Sequence, residues 1–175
     1  GLPVSAKHQF DKTVKLNPGA VEAYLELGRY HRTEMDKYRI MTPNDPNLRA
    51  ALFRNMAEKD YMKAVEAFEN VITLDASDAR PYIELGKLAF FRDRYDEMEY
   101  YMRRAASLDS GNGRILQYLG LSLQRLKRYD TAWVMFEQSK DLIPPEERLA
   151  LESREYFQAG QYLSSDGLSM AENYE

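Results

Sequence analysis

The amino-acid sequence predicts an all-α fold, a right-handed solenoid built from antiparallel helix pairs. Three observations support this prediction. Sequence features recur every 34 residues, and apolar residues within each unit follow the helical spacing i, i+3, i+4 and i+7. Prolines also lie where second helices would end, at Asn17-Pro18 and Pro144-Pro145, because a residue before proline disfavours helical geometry. No strand-like alternation of useful length interrupts the pattern.

The 34-residue period is clearest in the middle of the chain. Tyr82-x-x-Leu85-Gly86 is followed 34 residues later by Leu116-x-x-Leu119-Gly120, and the pattern also begins at Tyr24-x-x-Leu27-Gly28. A glycine inside a helix costs about 1 kcal/mol relative to alanine, so its recurrence predicts a close approach to the second helix of each unit. The residues of the second helix expected to face these glycines are Ala64, Met98 and Ala132.

A unit that combines an aromatic residue, Leu-Gly, Ala-x-x-x-Phe and a terminal proline resembles the tetratricopeptide-repeat (TPR) family. The resemblance covers about residues 5–144 and implies a non-catalytic scaffold that binds proteins in a groove lined by its first helices. The predicted organisation is a single domain, 1–164, followed by a flexible tail, 165–175. Within the domain we expect a half repeat at 5–18, repeats at 21–76, 79–110 and 113–144, and a capping helix at 146–163. The half repeat leaves open whether more repeats precede it or another chain covers that end.

The first full repeat is 24 residues longer than the others, with the insertion at about 32–60. Its helix breakers cluster in the turn-forming segment 42–47, whereas the flanking sequence favours helix. The sequence therefore predicts two helices that are each lengthened by about three turns and form an extended hairpin. Apolar residues of the hairpin either hold its two arms together or bind a partner or a second copy, and both interpretations stay open. These residues are Met35, Tyr38, Ile40, Met41, Leu48, Leu52, Phe53 and Met56.

Composition narrows the classes of function. The chain has 24 basic and 28 acidic residues, a net charge of −4, which argues against a nucleic-acid partner. The absence of cysteine excludes disulfides and thiolate metal sites. His8 and His31 lie on different predicted helices, and no phosphate-binding or catalytic motif occurs, so we expect no metal, no cofactor and no enzyme activity.

Composition does not decide the compartment. No apolar stretch approaches the roughly 20 residues of a transmembrane helix, and no signal-peptide core is present. A soluble protein of the cytoplasm or the periplasm is expected. The chain begins with Gly1, which suggests a processed or tagged fragment.

The predicted groove supplies the candidate binding residues. In an array of this kind, positions i, i+3, i+7 and i+10 of each first helix should point into the groove. Five of these twelve positions are basic and only Glu22 is acidic, which favours an acidic or C-terminal carboxylate-bearing peptide because arginine pairs bidentately with carboxylates. Leu25 and Ile83 would accept apolar side chains, and an ordinary solvated face is the alternative. The candidate residues are Arg29, Arg32, Arg80, Lys87, Phe90, Arg114, Gln117 and Leu121.

One subclass of the family is disfavoured at once. Chaperone-docking TPR modules hold a peptide carboxylate with a Lys-Asn pair, a further Asn and a Lys-Arg pair. Of the matching positions only Arg114 fits, so the sequence does not predict such a clamp. Two alternative functions remain: a structural assembly or homo-oligomerisation module that acts through the hairpin, or a docking domain of a larger protein. The positions compared are Leu25, Arg29, Glu84, Arg114 and Tyr118.

Overall fold

The computed structural model describes residues 4–40 and 48–143, and within these ranges it contains seven α-helices and no strand. This confirms the predicted all-α fold. The predicted capping helix, 146–163, and tail, 165–175, lie outside the described residues. The helices are α1 (Val4–Leu16), α2 (Val21–Ile40), α3 (Leu48–Leu74), α4 (Arg80–Phe91), α5 (Tyr95–Leu108), α6 (Gly113–Arg125) and α7 (Tyr129–Leu142).

The chain divides into two compact units, residues 1–88 and 89–175, with the boundary inside α4. In unit 1, α1 packs on α2, and α2 packs along α3 around the fully buried Phe68. In unit 2, α6 packs on both α5 and α7 around the buried Phe136. Each unit therefore buries the apolar stripe of an amphipathic helix against its neighbours, the arrangement expected of antiparallel helix pairs.

Gly28 and Gly120 mark close contacts between helices, as predicted, but the nearest residue is not the predicted one. A Cβ atom added to Gly28 would lie 2.4 Å from Cε1 of Phe68, and one added to Gly120 would lie 2.8 Å from Cε1 of Phe136. The expected neighbours Ala64 and Ala132 are therefore not the nearest atoms. The glycine of the first helix makes room for the aromatic ring four residues further along the second helix.

The extended hairpin is confirmed: α2 has 20 residues and α3 has 27, against 12 to 14 in α4 to α7. Residues 41–47, where the turn is predicted, lie outside the described part of the chain. Met35 is buried, and the rings of Tyr38 and Phe53 stack with centroids 6.2 Å apart. Leu52 is 55% exposed. Some apolar residues therefore hold the arms together, while at least one remains at the surface.

The turns after α4 and α6 share a left-handed residue at equivalent repeat positions. Asp93 and Lys127, 34 residues apart, have φ angles of 56° and 62°. The next residue closes each turn: the Arg128 N–H donates to the Leu123 carbonyl at 2.9 Å, and an equivalent bond closes the turn at Asp93. This is the Schellman termination, which usually employs glycine at the left-handed position.

One buried carboxylate ties the Arg128 turn to α5. The Glu99 side chain is only 11% exposed and accepts hydrogen bonds from Arg103 on its own helix, at 2.9 and 3.0 Å. It also accepts from Nη1 of Arg128 at 2.9 and 3.1 Å. The two arginines compensate the buried charge of Glu99, and the pair with Arg128 links two segments of unit 2.

Candidate functional site

The eight predicted binding residues are divided between the two units. Arg29 and Arg32 on α2, with Arg80 and Lys87 on α4, belong to unit 1, and ion pairs connect these two helices. We call this surface the α2–α4 face. It comprises Glu22, Glu26, Arg29, Arg32, Asp36, Asp78, Arg80, Glu84 and Lys87. The other four candidates lie in unit 2 and are described separately.

A buried carboxylate forms the centre of the α2–α4 face. The Glu84 side chain is 8% exposed and lies between two cations. Its Oε2 is 2.9 Å from Nε of Arg32, and its Oε1 accepts a hydrogen bond from Lys87 at 3.1 Å. The Arg32 and Lys87 side chains are each 25% exposed. These cations therefore compensate an internal negative charge before any partner arrives.

The contact between Arg32 and Glu84 is an ion pair without hydrogen-bond alignment. The two atoms are 2.9 Å apart, yet the Arg32 Nε and the Glu84 Oε2 are buried with no hydrogen bond. The distance is short enough for strong attraction, so the pair is electrostatic in character while the N–H direction misses the oxygen. Arg32 also lies 3.9 Å from Asp36 on the same helix.

The other two cations lie nearer to solvent. Nη1 of Arg29 is 2.6 Å from Glu26, one turn away on α2. Arg80 lies between Asp78, which precedes α4, and Glu22 at the start of α2, at 2.8 and 2.7 Å. Hydrogen bonds to Asp78 and then to Glu22 raise the pKa of Arg80 above its usual value. Arg80 therefore stays charged at any physiological pH.

The predicted excess of positive charge is wrong for unit 1. The four cations of the α2–α4 face stand among five carboxylates, and every cation is ion-paired. The prediction counted only positions i, i+3, i+7 and i+10, whereas Glu84 lies at i+4 from Arg80. Residues at i+4 share a helix face with i, so the wider stripe would have revealed this acid.

Leu25 does not lie where the groove hypothesis places it. Its side chain is 0% exposed and belongs to the core of unit 1, so no partner side chain reaches it. Positions i, i+3 and i+7 of a first helix therefore differ in exposure, because each helix turns its apolar face toward the helices it packs against. Ile83 remains half-buried.

The four candidates of unit 2 have different environments. The ring of Phe90 lies beside that of Tyr95, and the Arg125 guanidinium is 5.9 Å from the Phe90 centroid and 5.8 Å from that of Tyr95. Such distances fit a cation–π contact. Arg114 is exposed and Leu121 is half-buried, whereas Gln117 is buried.

A second polar centre of unit 1 was not predicted. His31 on α2 is buried, and its Nδ1 is 2.7 Å from Oδ1 of Asp60 on α3. It also lines an open cleft of about 240 Å³ between α1, α2 and α3, together with Lys7 and Lys63. Burial lowers the pKa of His31 and outweighs the opposing effect of Asp60. Sequence spacing did not pair His31 with Asp60 because the two are 29 residues apart on different helices.

We predict that His31 makes unit 1 less stable in mild acid. Since its pKa is lower in the folded than in the unfolded chain, the unfolded chain takes up the proton first as pH falls below about 6.5. The free energy of unfolding should therefore be smaller at pH 5.5 than at pH 7.5, as measured by urea denaturation. His31→Asn, which keeps a donor toward Asp60, should reduce this difference. His8→Asn, at an exposed histidine, is the control. If both variants reduce the difference in unfolding free energy between the two pH values equally, the prediction is contradicted.

Two further properties of the described residues concern metal ligands and helix hydropathy. Within 4–40 and 48–143, no group of three or more His, Asp or Glu side chains is arranged to hold a metal ion. Over the same ranges, no helix combines the length and the apolar character needed to cross a membrane.

Comparison with known proteins identifies the fold. No protein-family model and no curated protein sequence matches the chain significantly. Among solved structures, TTC0263, described as a thermophilic TPR protein in Thermus thermophilus, has a TM-score of 0.66 at 16% identity. That match covers 87% of this chain and 70% of TTC0263.

Two crystal structures of MamA are more distant. Both are 20% identical to this chain, with TM-scores of 0.47 and 0.46, values that add no support of their own. The first match covers 82% of this chain and 88% of MamA, and the second covers 85% and 84%. With the 34-residue signature and the antiparallel helix pairs, the similarity to TTC0263 shows that the chain has the fold of tetratricopeptide-repeat proteins.

Proposed function

We propose that this protein is a non-catalytic interaction scaffold that binds a peptide or a partner protein through the first helices of its repeats. In unit 1 the binding surface is the α2–α4 face, with Arg29, Arg32, Arg80 and Lys87 as its cations. In unit 2 it includes Phe90, Arg114, Gln117 and Leu121. A fold alone does not determine what is bound, so the proposal depends on the side chains of these surfaces.

The observation that carries the proposal is the exposure of two ion-paired cations on the α2–α4 face. Arg29 and Arg80 are held by carboxylates yet remain 37% and 45% exposed. Ion pairs at such exposure contribute about 0–1 kcal/mol, so they are easily exchanged for contacts with a partner. Arg32 and Lys87 pair with the buried Glu84 and give the face a fixed centre.

A peptide-array experiment tests this function. The immobilised probes are octapeptides in acidic, neutral and basic sets, and bound protein is measured for the wild type and for the double variant Arg29→Ala/Arg80→Ala. We expect the double variant to lose at least about tenfold in affinity for the peptides that the wild type selects, since both exposed cations are removed. Lys87 is left intact because its loss would leave the buried Glu84 carboxylate incompletely compensated.

The matched control alters the same type of ion pair elsewhere. Arg94 pairs with Glu97, and Lys140 pairs with Glu137, each three residues away on the surface of unit 2. Arg94→Ala/Lys140→Ala removes two charges without touching the α2–α4 face and should retain wild-type binding. If both double variants bind the array as the wild type does, or if the wild type selects no peptide, the α2–α4 face is not the binding surface.

The alternative, assembly through the extended hairpin, is favoured by one observation. Leu52 and Met62 on α3 are 55% and 58% exposed. Sedimentation velocity at increasing concentration tests it: a dimer that dissociates in Leu52→Glu, while Arg29→Ala/Arg80→Ala leaves it intact, would favour assembly. A docking role within a larger protein remains a third proposal and requires the full reading frame.

A further inference from the structure

Arg80 differs from the other cations of the α2–α4 face in how its guanidinium group is held. It is the most exposed of the four, at 45% of its side chain, against 37% for Arg29 and 25% for Arg32 and Lys87. Several hydrogen bonds hold one edge of its guanidinium group, whereas an exposed carboxylate contacts the other edge. This asymmetry is what a recognition group needs, because a fixed orientation reduces the entropy lost on binding.

Asp78 fixes the inner edge of Arg80. The Asp78 side chain is only 8% exposed, and its Oδ1 accepts the backbone N–H of Arg80 at 2.8 Å at the start of α4. Its two oxygens also accept from Nε of Arg80 at 3.0 Å, and Oδ2 accepts from Nη2 at 2.8 Å. The guanidinium plane is therefore set by a bidentate pair that is tied to the helix end.

The outer edge of Arg80 is nearly open. Its Nη2 is 2.7 Å from Oε1 of Glu22, whose side chain is 70% exposed. Within the described part of the chain, the hydrogen bonds of the Arg80 side chain come from Nε and Nη2, and Nη1 donates none. An exposed ion pair of this kind changes an equilibrium by at most about fivefold, so Glu22 is readily displaced.

We propose that the outer edge of Arg80 is a carboxylate-binding subsite, in which a carboxylate of the partner displaces Glu22 and pairs with Nη1 and Nη2. Asp78 is the positioning residue, and Glu22 is an internal competitor that occupies the subsite in the absence of a partner. A carboxylate fits because its two oxygens match the planar guanidinium edge. A doubly charged phosphate fits less well, since Asp78 and Glu22 lie within 3 Å of the same group. The inference rests on the proposed function.

The test separates the competitor from the general effect of charge. Glu22→Gln removes the competing charge and should raise affinity for acidic octapeptides by about three- to fivefold, because the ion pair no longer opposes binding. Arg80→Lys keeps the charge but loses the planar edge and should lower affinity by about tenfold. Glu34→Gln is the matched control: it makes the same change of charge on the same helix, at a carboxylate that pairs with Lys37 instead. It should change affinity less than twofold.

The probes distinguish the two sources of a carboxylate. Three matched sets are used: octapeptides with Asp or Glu and an amidated C-terminus, the same peptides with Asn or Gln, and the Asn or Gln peptides with a free C-terminus. A gain in Glu22→Gln with the first set alone assigns an acidic side chain, and a gain with the third set alone assigns a C-terminal carboxylate. Gains in affinity with both the first and the third set mean that the subsite accepts either kind of carboxylate.

The inference and the proposed function fail differently. If the wild type selects peptides and Arg29→Ala/Arg80→Ala loses them, but Glu22→Gln binds acidic and neutral sets as the wild type does, the subsite is wrong and the scaffold function stands. The same holds if Arg80→Lys binds as tightly as the wild type, or if Glu34→Gln gains as much as Glu22→Gln. If the wild type selects no peptide, both proposals are overturned. Far-UV circular dichroism verifies that each variant is folded.

Discussion

Gly28→Ala should lower the free energy of unfolding by about 1–3 kcal/mol, although alanine is the better helix former. The added Cβ would lie 2.4 to 2.8 Å from three atoms of the Phe68 ring, and Phe68 is itself fully buried. Either the buried Phe68 ring or the spacing of the two helices must therefore shift. Overpacking of this kind costs more than the roughly 1 kcal/mol that alanine contributes to helix propensity.

Urea denaturation followed by circular dichroism measures the effect, with Gly111→Ala as the matched control. An added Cβ at Gly111 meets no atom within 4 Å, and its φ is not positive, so this variant should be neutral or slightly more stable. Gly28→Ala/Phe68→Leu should recover part of the loss, because the smaller side chain relieves the overlap. Equal stability of Gly28→Ala and Gly111→Ala would contradict the proposed contact.

The second large effect is expected at the centre of the α2–α4 face. Arg32→Met leaves the Glu84 carboxylate, 8% exposed, with Lys87 as its remaining cation at 3.1 Å. Removing one partner of a buried ion pair leaves an incompletely compensated charge, and we expect a loss of about 2–4 kcal/mol in the free energy of unfolding. Arg94→Met, whose partner Glu97 is 49% exposed, should cost less than about 1 kcal/mol.

The double variant Arg32→Met/Glu84→Leu identifies the origin of that loss. If the cost comes from the unpaired carboxylate, replacing both groups should restore stability to within about 1 kcal/mol of the wild type. A double variant as unstable as Arg32→Met would instead mean that the arginine stem contributes through packing. A loss that comes from the unpaired carboxylate would agree with the proposed role of Arg32 and Glu84 as the fixed centre of the α2–α4 face.

Much of the fold was predictable because its signals are local and repeated. Tyr82 and Leu116 with their Leu-Gly pairs established the period, and the turn-forming segment 42–47 placed the extended hairpin between α2 and α3. Each of these features acts through backbone geometry or through the stripe of a single helix. Repetition then reinforces the signal, because several units must satisfy the same packing.

The candidate site was predictable only in part. The helix stripe placed Arg29, Arg32, Arg80 and Lys87 on first helices, and all four are charged side chains with some exposure. Two pairings between helices were missed: Glu84 on α4 pairs with Arg32 on α2, and Glu22 on α2 pairs with Arg80 on α4. Leu25 was misplaced for the same reason: whether an apolar residue of the stripe is buried depends on how its helix packs.

For the recurrent glycine, the sequence predicted a close contact but did not identify the residue in contact. Its position inside the helix required a close neighbour, but helical spacing alone did not say whether Ala64 or Phe68 would be that neighbour. Both lie on the same face of α3, four residues apart, and only the relative height of α2 and α3 selects Phe68.

The amino-acid sequence by itself determined the repeat, the helices and the long hairpin, because these follow from periodicity and from helix breakers within one segment. Only the tertiary structure decided the electrostatics of the α2–α4 face. Charges on separate helices interact through space over a few ångströms, and this distance depends on helix packing that no single segment specifies. For that reason a surface that the sequence presented as basic is in the folded protein a set of paired charges, in which the outer edge of Arg80 pairs with the exposed Glu22.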